Sequence, residues 1–282
     1  MIKLLVATDL SPRSAHAVGR AARLIEKQGG GDWTLVHVVD DDAPQDFVAE
    51  HVQRVKRLLD EQAQQLAAQT GSRPRVLVNS GEVEPIIFEA CLGMGADLLV
   101  VGCHRKTPLR DFFQGTSVER LIRGSHLPVL RVAQPTAADY RHTLAALDLS
   151  PGAVQAMASA ERLGLLDPQQ CTVLHALEPF PMGVLTEATI DLHLLESQAK
   201  EALLSLLGNL HGAGMALPEG CVRVREGDPR QVVAQELQEV QADLLVIATH
   251  GRKGLPRLML GSVAGALLAE LSCDILCVPP QG

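Results

Sequence analysis

The chain contains itself twice, and nothing else in it constrains the fold as strongly. Ala96-Asp97-Leu98-Leu99-Val100 returns as Ala242-Asp243-Leu244-Leu245-Val246, a shift of 146 positions. The same shift carries Gly81 to Gly227, His104 to His250, and Gly115-Thr116 to Gly261-Ser262. Nearer the start, Asp9-Leu10-Ser11-Pro12 returns as Asp148-Leu149-Ser150-Pro151 at a shift of 139, and His37 meets His175 at 138. Self-similarity at a fixed spacing marks a duplicated structural unit. The growth of the shift from 139 to 146 puts an insertion in the second copy, between its second and third strands. The copies join near Ala133–Arg141, a polar stretch containing Pro135. Two domains are expected, residues 1–135 and 140–282.

Each copy alternates short apolar runs with longer amphipathic segments. In the first, strands are predicted at Ile2–Thr8, Thr34–Val39, Arg75–Val78, Asp97–Gly102 and Pro128–Val132. Helices are predicted at Ser11–Gln28, Pro44–Ala68, Pro85–Met94 and Gly115–Gly124. The strands are continuous apolar runs, as a parallel sheet covered by helices on both faces requires. Strands alternating with helices give a doubly wound α/β domain. Right-handed crossovers then bring all strand C-termini to one edge, where ligands of such folds bind. The expected fold is two tandem parallel five-stranded sheets. The last strands, Pro128–Val132 and Asp274–Val278, are apolar and would otherwise be exposed edges, so the copies are expected to pack as a pseudo-dimer.

Composition narrows the function. A net charge of −8 without a Lys/Arg cluster, and only 2% aromatic residues, argues against nucleic acid, which calls for a basic stripe and stacking rings. No apolar run approaches the roughly 20 residues that span a bilayer, and the opening run carries Asp9, unlike a signal peptide. The six cysteines show no C-x-x-C pair and fall mostly in apolar runs, which suggests buried hydrophobes in a reducing cytoplasm rather than zinc ligands or disulfides.

Chemistry is therefore sought just after the strands. Ser11 and Ser150 read as helix N-caps followed by Pro12 and Pro151 in the first helical position. That leaves Asp9 and Asp148 as turn aspartates or as acceptors for a base or ribose. After strand four come Gly102-Cys103-His104-Arg105-Lys106 and Ala248-Thr249-His250-Gly251-Arg252-Lys253, then Gly115-Thr116 or Gly261-Ser262 opening a helix. A glycine loop followed by a small hydroxyl residue at a helix N-terminus suits phosphate: its N–H groups can approach the oxygens, and the helix dipole favours negative charge. Turn and cap roles would explain a lone glycine pair more plainly, but this loop sits where the fold presents its ligand edge, which favours phosphate. His104 and His250 lack a partner acid or nucleophile at matched spacing, and His37 and His175 end buried runs, so none is read as catalytic. Asp40-Asp41-Asp42 has no counterpart after His175 and reads as a solvated loop.

The strand-four loop resembles the G-x2-G-x9-G-[ST] nucleotide-binding signature of the universal stress protein family, most fully over Ala248–Val263. The strand-one Asp, the repeat order and Gly227-Asp228-Pro229 match as well. The resemblance covers nearly the whole chain, twice. It implies the adenine nucleotide alpha hydrolase-like fold, usually dimeric, in a cytoplasmic stress-response regulator. It also implies bound ATP, with Mg2+ held through the phosphates, and a homodimer or a further protein as partner. By position, the second copy would offer Asp148 and Ala176 to the base, Ala248 to the ribose, and Gly251, Gly261, Ser262 and Val263 to the phosphates. The signature has glycine where this copy has Ala248. The first copy would offer Asp9, Val38, Gly102, Gly115 and Thr116, but carries Arg105 where the phosphate loop calls for glycine, which marks a degenerate site. No general base or arginine finger is identifiable, so a binder without significant catalysis is favoured over a slow ATPase. A nucleotide-free interaction module remains the third reading.

Overall fold

The computed structural model describes residues 1–103, 117–135, 138–178, 192–211, 215–249 and 260–280. The chain divides into two compact units, Met1–Asp139 and Tyr140–Gly282. The first runs β1 (Lys3–Ala7), α1 (Pro12–Lys27), β2 (Asp32–Val39), α2 (Gln45–Thr70), β3 (Arg75–Ser80), α3 (Val83–Met94), β4 (Leu98–Gly102), α4 (Ser117–Gly124) and β5 (Val129–Val132). The second runs β6 (Thr143–Ala146), α5 (Pro151–Arg162), β7 (Cys171–Leu177), α6 (Leu192–His211), β8 (Val222–Glu226), α7 (Pro229–Glu239), β9 (Leu244–Ala248), α8 (Ser262–Glu270) and β10 (Asp274–Val278). Residues 178–221 separate β7 from β8 where 40–74 separate β2 from β3, which locates the insertion inferred from the shift in repeat spacing.

Within each unit the paired strands are parallel, in the order β3-β2-β1-β4-β5 and β8-β7-β6-β9-β10. The chain winds outward from β1 to β3, then crosses back to lay β4 on the other side of β1. That reversal leaves α1 against α2 and α3 against α4, and it opens a crevice at the strand C-termini between β1 and β4. The register repeats with the sequence. Ala7 pairs with Val36 and Val101, and Ala146 with Leu174 and Ile247, which are the positions the three repeat shifts give.

The cores are aliphatic. Leu4, Leu5 and Val6 are fully buried, as are Leu98, Leu99 and Val100, and the one tryptophan, Trp33, is buried with its indole N–H on the Ser72 carbonyl at 3.1 Å. Helix α1 shows why this sequence is helical here. Ser11 is its N-cap, accepting from the Ser14 N–H at 3.3 Å, Pro12 follows, and Ala17, Val18, Ala21, Ala22 and Ile25 line its buried stripe. Cys91, Cys171, Cys221 and Cys277 are buried, and burial pushes the Cys91 and Cys171 thiols up to about 12, as expected of inert small hydrophobes.

The repeated Ala-Asp pair has a structural task at the opposite edge. The Asp97 carboxylate accepts the Lys3 N–H at 2.9 Å while the Asp97 N–H returns to the Lys3 carbonyl at 2.8 Å. In the second unit Asp243 accepts the N–H groups of Arg141 and His142 at 3.0 and 3.2 Å, and its own N–H reaches the His142 carbonyl at 3.1 Å. The clamp fixes the start of β4 on that of β1, and the start of β9 on that of β6. Asp97→Ala leaves the Lys3 N–H without this charged acceptor, and we expect a loss of about 1–2 kcal/mol, measured by denaturant unfolding. An unchanged unfolding midpoint would remove the clamp from the account of the fold.

Candidate functional site

In the first unit the crevice is a cavity of about 140 Å³ at the ends of β1, β2 and β4, floored by α1 and bounded by Val83 and Ile87 of α3 and by Ser117, Val118 and Leu121 of α4. Ligand pockets that enclose a whole drug-sized molecule run to about 300 Å³ or more. A cavity of this size has room for about one ring. Asp9, Val38 and Gly102, three of the residues assigned from the sequence, line it together.

Four loop contacts shape its polar end. The Asp9 carboxylate accepts the Ser11 N–H at 3.0 Å, the Thr8 hydroxyl lies 3.0 Å from the Ser14 hydroxyl, the Leu10 N–H donates to Thr8 Oγ1 at 3.1 Å, and Ser14 Oγ donates to the Ser11 carbonyl at 3.0 Å. Leu10 consequently takes a left-handed φ of 62°, unusual for a residue with a branched side chain. Burial would raise the Asp9 pKa, but hydrogen bonding within the loop, led by Ser11 through its side chain and its N–H, outweighs it and holds the carboxyl below its ordinary value. Asp9 is an anion in neutral solution, hence purely an acceptor.

Each unit also uses its strand-two histidine to tie two strand ends together. His37 Nδ1 lies 2.8 Å from the Thr8 carbonyl and His175 Nδ1 2.8 Å from the Leu147 carbonyl. A carbonyl only accepts, so Nδ1 carries the proton in both. These are the satisfied histidines expected from the sequence, although half-buried rather than core. Burial depresses the His37 pKa, with nearby His51 adding to it and the Thr8 carbonyl and Asp9 opposing.

In the second unit Asp148 follows β6, Ala176 lies in β7 and Ala248 ends β9, so neighbouring strands bring these three to one edge. Gly261, Ser262 and Val263 stand at the start of α8. The Gly261 N–H is committed to the Thr249 carbonyl at 3.2 Å, which leaves the Ser262 and Val263 N–H groups, without intrahelical acceptors, as the donors facing outward from the helix. Arg105, Gly115, Thr116 and Gly251, with His104 and His250, lie outside the described residues.

Two capping assignments are corrected. Ser150 occupies the N-cap position but does not cap: its hydroxyl donates to Asp148 Oδ1 at 2.6 Å, a charge-assisted bond that displaces the weaker one to a helical N–H. Ser262 is not the cap of its helix either. The chain is still extended at Gly261, with ψ of 144°, so glycine is the N-cap and Ser262 the first helical residue, its side chain exposed. The Gly-Asp-Pro motif instead holds a cap that the sequence reading left unassigned, Asp228, which accepts from the Arg230 and Gln231 N–H groups. Thr8, Ser14, Cys103 and Ser117 line the cavity and were not singled out from the sequence. The signal for two of them was available in the repeat itself, where Thr8 and Ser14 align with Leu147 and Ala153 at the shift of 139. The Asp40, Asp41 and Asp42 carboxylates lie within 4.8 Å of one another on exposed residues, in keeping with a solvated loop.

Comparison with known proteins follows the duplication. The model of the family described as universal stress protein matches residues 1–133 and again 139–279. Universal stress protein A homolog 1 of Coxiella burnetii is 31% identical over 144 residues, 49% of this chain and 96% of that one. Universal stress protein E of Photorhabdus laumondii is 23% identical over 99% of this chain and 95% of its own. The crystal structure of a universal stress protein from Archaeoglobus fulgidus superposes with a TM-score of 0.69 over 99% of this chain and 98% of that one, at 18% identity.

The half-buried His37, its pKa depressed, gives a pH test of this edge. A histidine whose folded pKa is depressed stabilises the fold above its unfolded value near 6.5, and that contribution is lost as pH falls below it. Melting temperature should therefore fall less in His37→Gln than in the wild type between about pH 7.5 and 5. Parallel profiles would show that His37 does not resist protonation in the fold.

Proposed function

The chain belongs to the universal stress protein family, and from that membership we propose that it binds an adenine nucleotide at the strand-end edge of its units and acts as a stress-response regulator by holding the ligand, without significant catalysis. The observation that carries the reading is the cavity at the β1/β4 reversal, where an ionised Asp9, Val38 and Gly102 surround space for one ring. In the second unit Asp148, Ala176 and Ala248 occupy the same strand ends, and the Ser262 and Val263 N–H groups offer an anion site at the start of α8. We assign the phosphates of ATP to that helix start together with Gly251. A Mg2+ ion, where present, comes with them.

Among the described residues, the carboxylates and the histidine Nδ1 protons at these edges have partners in the fold, which supports binding over turnover. Asp9 and Asp148 accept bonds from their own loops, and the Nδ1 protons of His37 and His175 are committed to main-chain carbonyls. No described helix is long and apolar enough to cross a membrane. Self-association and a protein partner read through the occupied edge complete the proposal.

Titration calorimetry of the full chain with ATP tests it. We expect Gly251→Arg to abolish the tighter binding and Arg105→Gly to strengthen the weaker, because the glycine position admits close main-chain approach to phosphate. Ser262→Ala removes a hydroxyl but no cap, so it should weaken ATP binding about tenfold or more, as the loss of a bond to a charged oxygen does, with an almost unchanged melt. Wild-type protein that binds no ATP would overturn the reading in favour of a nucleotide-free interaction module. Steady phosphate release would replace the binder with a slow ATPase.

A further inference from the structure

The two units share their register and their clamps but differ in concert at three positions around the cavity. Thr8, Ser14 and Gly102 of the first unit are Leu147, Ala153 and Ala248 in the second. In the first unit the three form one device. A Cβ on Gly102 would stand 2.9 Å from both the Arg13 carbonyl oxygen and the Ser14 Cα, closer than such atoms approach. The bare glycine is what lets the first turn of α1 rest on the end of β4. That approach brings the Ser14 hydroxyl 3.0 Å from that of Thr8. Both side chains are buried, so their bonds are made with each other and the loop rather than with bulk water.

The donors can be ordered. Ser14 Oγ donates its proton to the Ser11 carbonyl, so Thr8 Oγ1 donates to Ser14 Oγ and keeps its lone pair for the Leu10 N–H. The chain of bonds passes on both sides of Asp9 and fixes the main chain at Thr8 and Leu10. The Leu147 side chain can accept nothing, and Leu149 does not adopt the left-handed φ of Leu10. Asp148 turns instead to the Ser150 hydroxyl at 2.6 Å. The main chain on either side of Asp9 is therefore braced by a relay of buried hydroxyls, which the second unit lacks, where Asp148 draws both the N–H and the hydroxyl of Ser150 within its own turn.

We propose that Thr8, Ser14 and Gly102 are positioning residues that aim the Asp9 carboxylate into the first-unit cavity, making this unit, despite its altered phosphate loop, the one that discriminates between bases. This rests on the nucleotide reading above and deepens it. An ionised carboxylate accepts hydrogen bonds and donates none. It pairs with the exocyclic amine of an adenine ring and repels the carbonyl that replaces that amine in hypoxanthine. A site built around a fixed polar partner rejects the wrong analogue far more strongly than an apolar pocket does. The first unit selects the adenine ring of a nucleoside, and the second, with its apolar Leu147 and Ala153, is the less selective for the base.

The test compares adenosine with inosine by titration calorimetry on the full chain, carrying Asp148→Ala in every protein so that base recognition is read from the first unit. We expect the parent to prefer adenosine by about tenfold or more. Thr8→Leu, which copies the second unit, should reduce that preference toward one, as should Gly102→Ala through displacement of the turn. Thr8→Ser, which keeps the hydroxyl, should retain it. A merely structural role would lower the melting temperature and both affinities alike, leaving the adenosine-to-inosine ratio intact, and that result overturns the proposal. So does a parent that binds neither nucleoside. If such a parent comes from a wild type that still binds ATP, the nucleotide reading survives and only the assignment of base selection to the first unit fails. A wild type that binds no ATP removes both.

Discussion

Every feature of the ligand edge depends on one pairing, that of β1 with β4. These strands are far apart in sequence, and the crossover between them is where the winding of the sheet reverses. The pairing is secured at its far end by Asp97, whose carboxylate and N–H each bond the Lys3 main chain, and along its length by the fully buried Leu4, Leu5, Val6, Leu99 and Val100. Once register is set there, the opposite ends of both strands are placed without further choice. Thr8 and Asp9 leave one strand beside Gly102 and Cys103 leaving the other, and the crevice between them is a consequence of topology rather than of any side chain in it. The second unit repeats the logic with Asp243 and His142.

Because the scaffold places the edge, the edge is free to vary. The two copies agree where agreement holds the sheet: the Ala-Asp clamp, the histidine between strand ends and the aliphatic strands. They differ in side chains that the main-chain pairing does not use. On the outermost strand of the second unit, Arg223 and Arg225 reach Glu236 and Glu239 of α7, with Glu236 buried. The corresponding positions of the first unit include Leu77, Asn79 and Ala90. Breaking a buried ion pair by removing one member costs more than the pair contributes, so the cluster ties α7 to β8 through mutual dependence. Charges on an edge strand also discourage a further strand from pairing with it.

The fold was legible because its signals are additive and local. Continuous apolar runs, proline after serine, and a repeat with three internally consistent shifts each pointed to the same architecture, and the observed elements begin and end close to the boundaries they predicted. The site was legible only as far as the backbone decides it. Asp9, Val38 and Gly102 could be placed at one edge because strand order places them. The roles of Ser150 and Ser262 could not, since whether a serine caps depends on one torsion angle and on which acceptor lies nearest. At Ser262 the extended backbone of Gly261 moved the helix start by one residue. At Ser150 a carboxylate two residues away outbid the helix for the hydroxyl. Neither competition leaves a mark in composition or periodicity.

Gly102 shows why a residue's identity can mean opposite things at two levels. Read as part of a phosphate-binding signature, glycine in the first copy and alanine in the second make Gly102 the better match and Ala248 the departure. Read as packing, the glycine is needed because α1 presses on it, with no ligand in the argument. The two readings join at Ser14: the close approach that excludes a methyl group is the same approach that delivers a buried hydroxyl beside Thr8. In the second unit the alanine, the missing serine and the missing threonine are one change rather than three. With a methyl on Ala248 the corresponding turn cannot repeat that contact, so a hydroxyl at Ala153 would be buried without its partner, at a cost of about 1–3 kcal/mol. Apolar residues at all three positions are then the self-consistent alternative. A duplicated chain can thus hold two ligand edges of different character on one sheet design, because each edge is consistent within itself and neither disturbs the strand register beneath it.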